Sequence, residues 1–481
     1  MEIIPQLETL LPAGAVIADA ESRRAYECDG LSAYRQLPGV VVLPETVAQV
    51  QAVLRLCHEH GVPVVARGAG TGLSGGALPA SDGVLLSLAR FNRIVAIDPD
   101  NRTARVGPGV RNLAISEAAA AHGLYYAPDP SSQIACTIGG NVAENSGGVH
   151  CLKYGLTVHN ILAMEVLTIA GEHLHLGAQA LDAPGYDLMA LFTGSEGLLG
   201  VIVEVTVRLL PRPPAVMVLL AAFDEVQAAG EAVAGIIGAG IIPAGLEMMD
   251  ALAIRAAEDF IHAGYPTNAQ AMLLCELDGS EAEVQASMAR VRTILEDHGA
   301  IEVRLAEDAD ERQRLWAGRK AAFPAVGRIA PDYYCMDGTI PRHHLARVLE
   351  CITEMSHEYG LAVANVFHAG DGNLHPLILY DANQPGELDK AEAFGGDILA
   401  LCIEVGGTVT GEHGVGVEKL GPMCGQFTAA ELEQFHAIKA ACDPAGLLNP
   451  GKAVPTLHRC AELGAMHVHH GQLAHPELER F

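Results

Sequence analysis

The chain has 481 residues, of which 50% are hydrophobic and 18% are charged, so it can bury large cores and is not disordered. Its length predicts about three domains at roughly 150 residues each. Acidic residues outnumber basic ones by 58 to 30, which gives a formal charge of −28 at pH 7. This charge argues against nonspecific binding to nucleic acid or anionic lipid, but it leaves open an anionic substrate in a locally positive pocket.

The cysteine pattern and the apolar runs predict a cytoplasmic protein. Eleven cysteines are scattered from Cys28 to Cys460 with no C-x-x-C pair, which indicates reduced thiols and lacks the ligand spacing of an iron–sulfur cluster. The first residues show no basic region followed by an apolar stretch, so no signal peptide is predicted. The longest uncharged run, 232–246, is too short to span a bilayer.

The predicted elements divide the chain into four parts with an overall α+β composition. Residues 1–37 form an amphipathic leader, and residues 38–215 alternate short strands with helices. Residues 216–455 contain two strand–helix–strand units, which predict a ferredoxin-like cap domain, and residues 456–481 form a histidine-rich tail. Helices are predicted at 44–61, 110–122, 224–238, 281–297 and 341–359.

A glycine-rich loop, RGAGTGLSGG at 67–76, follows a predicted strand at 62–66. Its glycines leave backbone N–H groups free to converge on phosphate oxygens, and the side chains of Arg67, Thr71 and Ser74 add further donors. The glycine spacing does not fit a dinucleotide-binding Rossmann turn, and no helix is predicted directly after the loop. The residues alone leave both a phosphate site and a plain turn open.

A second glycine-rich stretch, TIGGNVAENSGG at 137–148, follows the segment PDPSS at 128–132. Two such loops can hold a long ligand from opposite sides. Together with GSEGLLG at 194–200, they resemble the FAD domain of the vanillyl-alcohol oxidase and para-cresol methylhydroxylase flavoprotein family. This resemblance covers residues 38–215 and implies a two-part FAD-binding domain of that type.

The same resemblance implies how FAD is held. Members that bind FAD covalently often carry a histidine in the first loop, and residues 67–76 contain none, so noncovalent FAD is expected. The segment LLNPGK at 447–452 resembles the terminal segment that returns to the flavin. The expected FAD contacts are Arg67, Gly68, Ala69, Gly70, Thr71, Gly72, Ser74, Pro128, Ser132, Thr137, Gly139, Gly140, Asn141, Ser146, Gly147, Gly148, Gly155, Ile202 and Asn449.

Two histidines flank a turn in the cap region. The segment HAGDGNLH runs from His368 to His375, and a hairpin there brings the two imidazoles together as half of a divalent-metal site. Glu412, within GGTVTGEHGVG at 406–416, offers a third ligand between glycines. The residues alone leave a metal site and ordinary turn histidines about equally open. The tail residues His467, His469, His470 and His475 are interpreted as incidental clustering.

HAGDGNLH and GEHGVG resemble the signature of FAD-linked D-2-hydroxy-acid dehydrogenases. In this chain the resemblance implies that His368, His375 and Glu412 bind a divalent metal, such as zinc, manganese or iron, and that His413 is the catalytic base. It also implies that Arg319, in a Trp-x-x-Arg segment, contacts the substrate carboxylate. Asn373 is expected to touch substrate or metal-bound water, with a plain turn role as the alternative.

The implied chemistry suits these residue types. Oxidation of a 2-hydroxy acid removes the hydroxyl proton and sends the Cα hydride to a flavin. Because the hydroxyl is a very weak acid, a metal is needed to polarise it, and histidine can accept the proton near neutral pH.

The resemblance extends to the FAD-containing catalytic subunits of bacterial glycolate oxidases, through DYYCMDGTIP at 332–341 and LHRCAE at 457–462. It implies oxidation of glycolate to glyoxylate and of D-lactate to pyruvate. It also implies a second FAD-domain subunit and an iron–sulfur subunit, through which the chain contacts the inner face of the cell membrane. Three alternatives stay open: a larger D-2-hydroxy acid such as D-2-hydroxyglutarate, a non-catalytic flavin-binding partner subunit, and a purely structural metal site.

Overall fold

The computed structural model describes residues 1–180 and 184–456. The strands of the amino-terminal unit are β1 (Val16–Ile17), β2 (Val40–Val42), β3 (Val64–Arg67), β4 (Val84–Ser87), β5 (Ile94–Asp98), β6 (Thr103–Val106), β7 (Leu124–Tyr125), β8 (Ile161–Leu167), β9 (His173–Gly177), β10 (Val201–Arg208) and β11 (Leu210–Pro211). Its helices are α1 (Ile4–Leu10), α2 (Ala20–Arg23), α3 (Val47–His60), α4 (Asn112–Ala119), α5 (Ile138–Glu144), α6 (Cys151–Tyr154) and α7 (Leu188–Phe192), with 3-10 turns at Arg24–Tyr26, Ala120–His122 and Thr157–Asn160.

The first sheet has the order β1–β2–β4–β3 and presents the first glycine loop at the end of β3. Strands β2, β4 and β3 are parallel, and α3 connects β2 to β3. The predicted helix forms because Thr46 and Gln49 cap its first turn reciprocally and Gly61 ends it in the left-handed region, at a φ of 65°. Its buried face contributes Val50 and Val53 to the core against this sheet.

The leader is part of this first unit rather than a separate segment. Strand β1 pairs with β2, where Val16 lies opposite Val42, and Leu7 of α1 is fully buried in the same core. The first sheet and its core therefore extend across the boundary predicted at residue 38. The physical reason is that the edge of β2 has backbone groups in need of partners, and β1 supplies them.

The second sheet has the order β5–β6–β10–β8–β9, with antiparallel pairing throughout. Helix α5 packs against β10 and begins directly after Thr137, inside the stretch that the sequence predicts as a loop. The glycines Gly139 and Gly140 weaken helix propensity and hide this helix from the sequence pattern. Gly139 is required here because a Cβ would lie 2.5 Å from the Cβ of Pro108.

The strands of the carboxy-terminal unit are β12 (Ala215–Phe223), β13 (Gly245–Asp250), β14 (Ala271–Gly279), β15 (Glu302–Leu305), β16 (Asp332–Cys335), β17 (Val363–Phe367) and β18 (Pro376–Tyr380). Its helices are α8 (Val226–Gly238), α9 (Ala251–Ile261), α10 (Glu281–Asp297), α11 (Ala309–Val326), α12 (Leu345–Tyr359), α13 (Glu387–Glu404), α14 (Leu420–Gln426) and α15 (Ala429–Cys442), with a 3-10 turn at Arg342–His344.

These strands form one sheet in the order β15–β12–β14–β13–β17–β18–β16. Strands β12 to β15, with α8 and α10, have the β–α–β–β–α–β form of a ferredoxin-like unit, with α9 inserted between the inner two strands. The predicted cap is therefore confirmed, and β17, β18 and β16 extend its sheet. Helix α8, predicted from residue 224, begins at Val226 without a side-chain cap.

The end of the described chain returns to the amino-terminal unit. Leu448 forms a parallel bridge with Val64, and the Asn449 side chain donates to the backbone oxygens of Gly76 and Glu196, at 3.0 and 2.6 Å. The residues that follow Thr456, including the tail histidines, lie outside the described residues. The return segment therefore forms part of the framework around the first glycine loop.

The thiols largely follow the expectation. Nine cysteines of the described chain carry free thiols. Cys424 is disulfide-bonded, so the prediction that the cysteines are reduced is wrong at this residue. Among residues 1–180 and 184–456, no helix has the length and apolar character needed to cross a bilayer.

His150 joins the two units beside the site described below. Its Nδ1 lies 2.9 Å from Asp129 of the amino-terminal unit and its Nε2 lies 3.0 Å from Glu276 on β14. Burial alone would lower the pKa of His150, but the two carboxylates outweigh it and raise the pKa well above its usual value. A protonated His150 therefore bridges two carboxylates across the boundary.

Candidate active site

A cavity of about 390 Å³ lies between the two units. One part of its wall comes from both glycine-rich loops of the amino-terminal unit. The other part comes from the carboxy-terminal unit and includes His375, Glu412 and His413. The structure therefore brings the predicted cofactor loops and two of the three predicted metal-binding residues, His375 and Glu412, to one cavity.

The first loop owes its shape to two glycines. A Cβ at Gly68 would collide with the Thr137 hydroxyl of the second loop. Gly70 has a φ of 72°, and the Arg67 guanidinium folds over it, donating from Nη1 to the backbone oxygen of Cys28 at 2.7 Å. The buried Thr137 hydroxyl has no partner within the protein, which suits a polar ligand in this cradle.

Most of the predicted FAD contacts lie in the cavity wall. Those that line it are Arg67, Gly68, Ala69, Gly70, Thr71, Gly72, Ser132, Thr137, Gly139, Gly140, Asn141, Ser146 and Ile202. Ser74, Pro128 and Asn449 do not line it. Ser74 and Asn449 are buried, and the Pro128 backbone oxygen accepts from Asn112. Gly147, Gly148 and Gly155 line a different cavity instead.

The predicted hairpin places the histidines as expected. Strands β17 and β18 pair antiparallel, and His368 bridges to Asn373 across the turn. Nε2 of His368 lies 3.3 Å and Nε2 of His375 lies 2.9 Å from the same Oε1 atom of Glu412. The three donor atoms lie within 4.8 Å of one another, so the side chains form a compact His–His–Glu cluster, called the ligand cluster below.

The Nδ1 contacts of His368 and His375 determine which ring nitrogen of each histidine faces Glu412. Nδ1 of His368 lies 2.8 Å from Glu247 Oε1, and Nδ1 of His375 lies 3.3 Å from the backbone oxygen of Met336. A carboxylate and a carbonyl can only accept, so each Nδ1 carries its proton outward. In the neutral imidazoles, two nitrogen lone pairs then face a carboxylate oxygen, an arrangement that a cation stabilises.

The electrostatics of the ligand cluster agree with this arrangement. Burial by itself would lower the pKa of His368, but Glu247 and Glu412 outweigh it and raise the pKa well above its usual value. Burial by itself would raise the pKa of Glu412, but His368 and His375 hold it well below its usual value. The cluster thus favours added positive charge, which protons or a divalent cation can supply.

Asp337 holds the loop that carries Glu412. The carboxylate accepts from the backbone N–H groups of residues 411–413, from the Thr410 hydroxyl and from Lys419 Nζ, which lies 2.9 Å away. Burial alone would raise the pKa of Asp337, but Lys419 and the neighbouring histidines hold it far below its usual value. The fully buried ion pair therefore fixes Glu412 and His413 in place.

His413 is the neutral imidazole of the site. Its ring stacks on His375 at a centroid distance of 4.9 Å, and its Nε2 lies 3.9 Å from Glu412 Oε1. Burial lowers the pKa of His413 to about 4, so the ring is unprotonated near neutral pH. An unprotonated imidazole at the edge of the ligand cluster is able to accept a proton.

Arg319 does not reach the cavity where the sequence predicts it. On α11 its Nη2 lies 2.6 Å from Glu247 Oε2, and both side chains are 1% exposed. Arg319 therefore contacts the carboxylate that orients His368. Its neighbour Lys320 lines the cavity instead, together with Phe323, His375 and Glu412.

Asn373 also points away from the main cavity. Its Nδ2 donates to Asp337 Oδ1 at 3.0 Å, and its side chain borders a second cavity of about 400 Å³ on the far side of the ligand cluster. This second cavity also reaches His368 and Glu412. The arrangement connects Asn373 to the loop anchored by Asp337.

Two family models match the chain. The model for the FAD binding domain matches residues 38–177, and the model for the C-terminal domain of FAD linked oxidases matches residues 212–453. The chain belongs to the FAD-linked oxidase family.

Three relatives match the sequence of this FAD-linked oxidase over most or all of its length. The glycolate oxidase subunit GlcD of Escherichia coli K12 is 66% identical over 479 residues, covering 100% of this chain and 96% of the relative. The glycolate oxidase subunit GlcD of Bacillus subtilis is 39% identical, covering 89% and 92%. A D-lactate dehydrogenase of Anaerostipes hadrus is 32% identical, covering 94% and 97%.

Solved structures establish the fold of the FAD-linked oxidase. p-Cresol methylhydroxylase with substrate bound superposes with a TM-score of 0.80 at 18% identity, over 95% of this chain and 97% of that one. A 4-ethylphenol oxidase from Gulosibacter chungangensis gives a TM-score of 0.81 at 17% identity, with the same coverage. The predicted FAD-binding fold of the para-cresol methylhydroxylase type is thus confirmed.

Sequence reasoning missed three residues of the oxidase site. Glu247 orients His368, Asp337 anchors the 411–413 loop, and Lys320 is a cation in the cavity wall. A signal exists for the first of them, because Glu247 is the lone charge inside the apolar run Leu246–Met249 of β13. A charge in a buried strand needs a partner, which marks the residue for inspection.

Proposed function

We propose that this FAD-linked oxidase oxidises a small 2-hydroxy acid, glycolate to glyoxylate and D-lactate to pyruvate. The observation that carries the proposal is the cavity whose wall contains both glycine-rich loops together with His375 and Glu412 of the ligand cluster. The printed names of the relatives, glycolate oxidase subunit and D-lactate dehydrogenase, support these two substrates.

The bound groups and the protein divide the chemistry. FAD supplies a hydride acceptor when bound, and a divalent metal, such as zinc, manganese or iron, supplies polarisation of the substrate hydroxyl. His368, His375 and Glu412 would hold the metal through three protein atoms, which leaves positions open for substrate, as in a catalytic rather than a structural site.

The side chains of the cavity wall bind the substrate and move its proton. In our proposal His413 accepts the hydroxyl proton at Nε2, the ring atom 3.9 Å from Glu412. Lys320 receives the substrate carboxylate, because it is the cation that the carboxy-terminal unit contributes to the cavity wall that also holds His375 and Glu412. The chain thereby positions the hydroxyl near its base and the carboxylate near a positive charge.

Arg319 and Asn373 act through other residues in this proposal. Arg319 orients Glu247, which holds His368 through Nδ1, and Asn373 supports Asp337, which holds the loop of His413. We further propose that the chain assembles with a second FAD-domain subunit and an iron–sulfur subunit at the cytoplasmic face of the membrane. The relatives' designation as oxidase subunits supports this assembly.

An anaerobic titration of the purified FAD-loaded protein tests the function. We expect glycolate and D-lactate to bleach the flavin absorbance and L-lactate to leave it unchanged. If only D-2-hydroxyglutarate bleaches the flavin, the substrate is a larger D-2-hydroxy acid and not glycolate or D-lactate. A flavin that stays oxidised with every acid would refute catalysis and leave a non-catalytic flavin-binding subunit.

The base is tested by His413→Gln. Loss of a positioned general base typically slows a reaction by about 10²–10⁴-fold, so we expect that decrease in the rate of flavin reduction, with FAD and metal content unchanged. His58→Gln, on the exposed face of α3, is the matched control and should retain the parental rate. Unchanged turnover in His413→Gln would leave the cluster as a structural metal site.

A further inference from the structure

A second group of metal-ligating side chains lies on the amino-terminal unit, apart from the ligand cluster. Nε2 of His173 lies 3.0 Å from Glu165 Oε2, and Nδ1 of His175 lies 3.4 Å from Glu165 Oε1. The three donor atoms lie within 4.8 Å of one another. The two imidazole rings are 4.6 Å apart and nearly parallel, with an interplanar angle of 30°.

The strand pattern explains why these side chains meet. Strand β9 has the sequence HLHLG, so its histidines project to one face while Leu174 and Leu176 pack into the core. In the antiparallel pair, His175 lies directly opposite Glu165 and His173 opposite Leu167. Glu165 therefore has one histidine straight across and one diagonally across, both within reach on the outer face.

We propose that Glu165, His173 and His175 form a second site for a divalent transition metal, with Zn²⁺ as the ion that suits it. Tetrahedral zinc with ligands at about 2.0–2.1 Å places neighbouring donor atoms roughly 3.3 Å apart. Each histidine nitrogen already lies at about that spacing from one carboxylate oxygen of Glu165, at 3.0 Å from Oε2 and 3.4 Å from Oε1. Because the three donor atoms lie within 4.8 Å of one another, small side-chain rotations bring them onto one ion. Side-chain exposures of 30% for Glu165, 30% for His173 and 70% for His175 leave room for water as the fourth ligand.

The surrounding charges keep Glu165 available. Glu204, opposite Glu165 on β10, adds negative potential on the same face, and Arg105 pairs with Glu204 at 3.5 Å. The ion would join β8 to β9, the edge strand of the second sheet. Such a metal would stabilise the edge strand and would take no part in the cavity chemistry.

Zinc titration of the full-length, FAD-loaded protein tests this site. The double variant His173→Ala/His175→Ala should bind one Zn²⁺ per chain fewer than the parent, with the same rate of flavin reduction by glycolate. Glu165→Gln should keep the shape of the face and weaken zinc binding at this site at least tenfold. Zinc should slow hydrogen exchange of the β9 amides in the parent but not in His173→Ala/His175→Ala.

The control is His343→Ala/His344→Ala, which removes another pair of neighbouring imidazoles whose rings lie 3.9 Å apart. It should leave the zinc stoichiometry unchanged. Equal zinc stoichiometry in the parent and in His173→Ala/His175→Ala would overturn the site and leave a salt bridge between Glu165 and protonated histidines. Loss of zinc from the control pair to the same extent would also overturn it, because binding would then follow any paired imidazoles.

Discussion

Glu247 Oε1 lies 2.8 Å from Nδ1 of His368, and both side chains are almost completely buried. This contact fixes the imidazole so that its other nitrogen faces Glu412. The Glu247 carboxylate in turn contacts Arg319. The orientation of His368 therefore depends on Glu247, which lies 121 positions earlier in the chain. Outer partners of this kind raise the basicity of a ligand and fix its tautomer.

Glu247→Gln should therefore weaken metal binding at the ligand cluster. Loss of an outer carboxylate partner typically costs about 10–100-fold in metal affinity, and we expect that decrease here, measured by metal content after dialysis against a weak chelator. FAD content should stay unchanged, because Glu247 does not line the cofactor cavity. Glu302→Gln, on an exposed strand position, is the control, and equal metal retention in both variants would contradict the role of Glu247.

Lys320→Met should raise the KM for glycolate by roughly tenfold, because a charge-assisted contact to a carboxylate is lost from an exposed side chain. The rate at saturating substrate should change less. Arg314→Met, exposed on the same helix and outside the cavity wall, is the matched control. A normal KM in Lys320→Met together with a raised KM in Arg319→Met would show that Arg319, and not Lys320, contacts the substrate carboxylate.

Glu418→Gln should stabilise the protein more at pH 8 than at pH 5. Burial raises the pKa of Glu418 to about 7, against 4.5 for the ordinary side chain. As pH rises above 4.5 the unfolded carboxyl loses its proton first, so this group's contribution to stability declines until pH exceeds about 7. Gln removes that loss, so the variant's advantage in unfolding free energy should grow by up to about 3 kcal/mol.

Urea denaturation at the two pH values measures this difference. The exposed Glu354→Gln variant on α12 provides the comparison, since its side chain lies at the surface in the folded state. An advantage of Glu418→Gln that stays constant between pH 5 and pH 8 would show an unshifted pKa, and one that shrinks would show a lowered pKa, so either result would contradict the raised pKa of Glu418.

Asp337→Asn should destabilise the cap by about 3–5 kcal/mol, because it removes the nearer carboxylate partner of the buried Lys419 and leaves only Glu418, at 3.9 Å. The double variant Asp337→Asn/Lys419→Met should recover part of that loss, since the buried Lys419 charge is removed together with its main partner. Thermal unfolding monitors the effect, and Glu27→Gln, which breaks the exposed pair with Arg35, should change stability by less than about 1 kcal/mol. Equal effects of the buried and exposed variants would rule out this role for Asp337.

Local patterns predicted the hairpin and the glycine loops because both are properties of neighbouring residues. The turn in HAGDGNLH forms within eight positions, and the resulting contact of His368 with His375 requires no distant information. The same holds for α3, whose caps at Thr46 and Gly61 are visible in the sequence. Sequence patterns that lie entirely within one turn or one helix therefore predicted the observed structure.

Other features depend on directions and partners that a single segment does not specify. Successive residues of a helix point about 100° apart, so the sequence could not decide whether Arg319 or Lys320 faces the cavity. Glu247 meets His368 only after β13 and β17 pair within one sheet. Strand β1 was hidden because its two residues gain their pairing from β2, and α5 because tight packing placed glycines in a helix.

The bond from Asn449 to the first glycine loop has a consequence for biosynthesis. Asn449 and Lys452 hold the Gly76 oxygen, and the adjacent Leu448 lies beside Val64. A nascent chain that has emerged only as far as the amino-terminal unit therefore has a cofactor cradle with one support missing. Translation must proceed beyond residue 452 before the ribosome has released every segment that supports the first glycine loop.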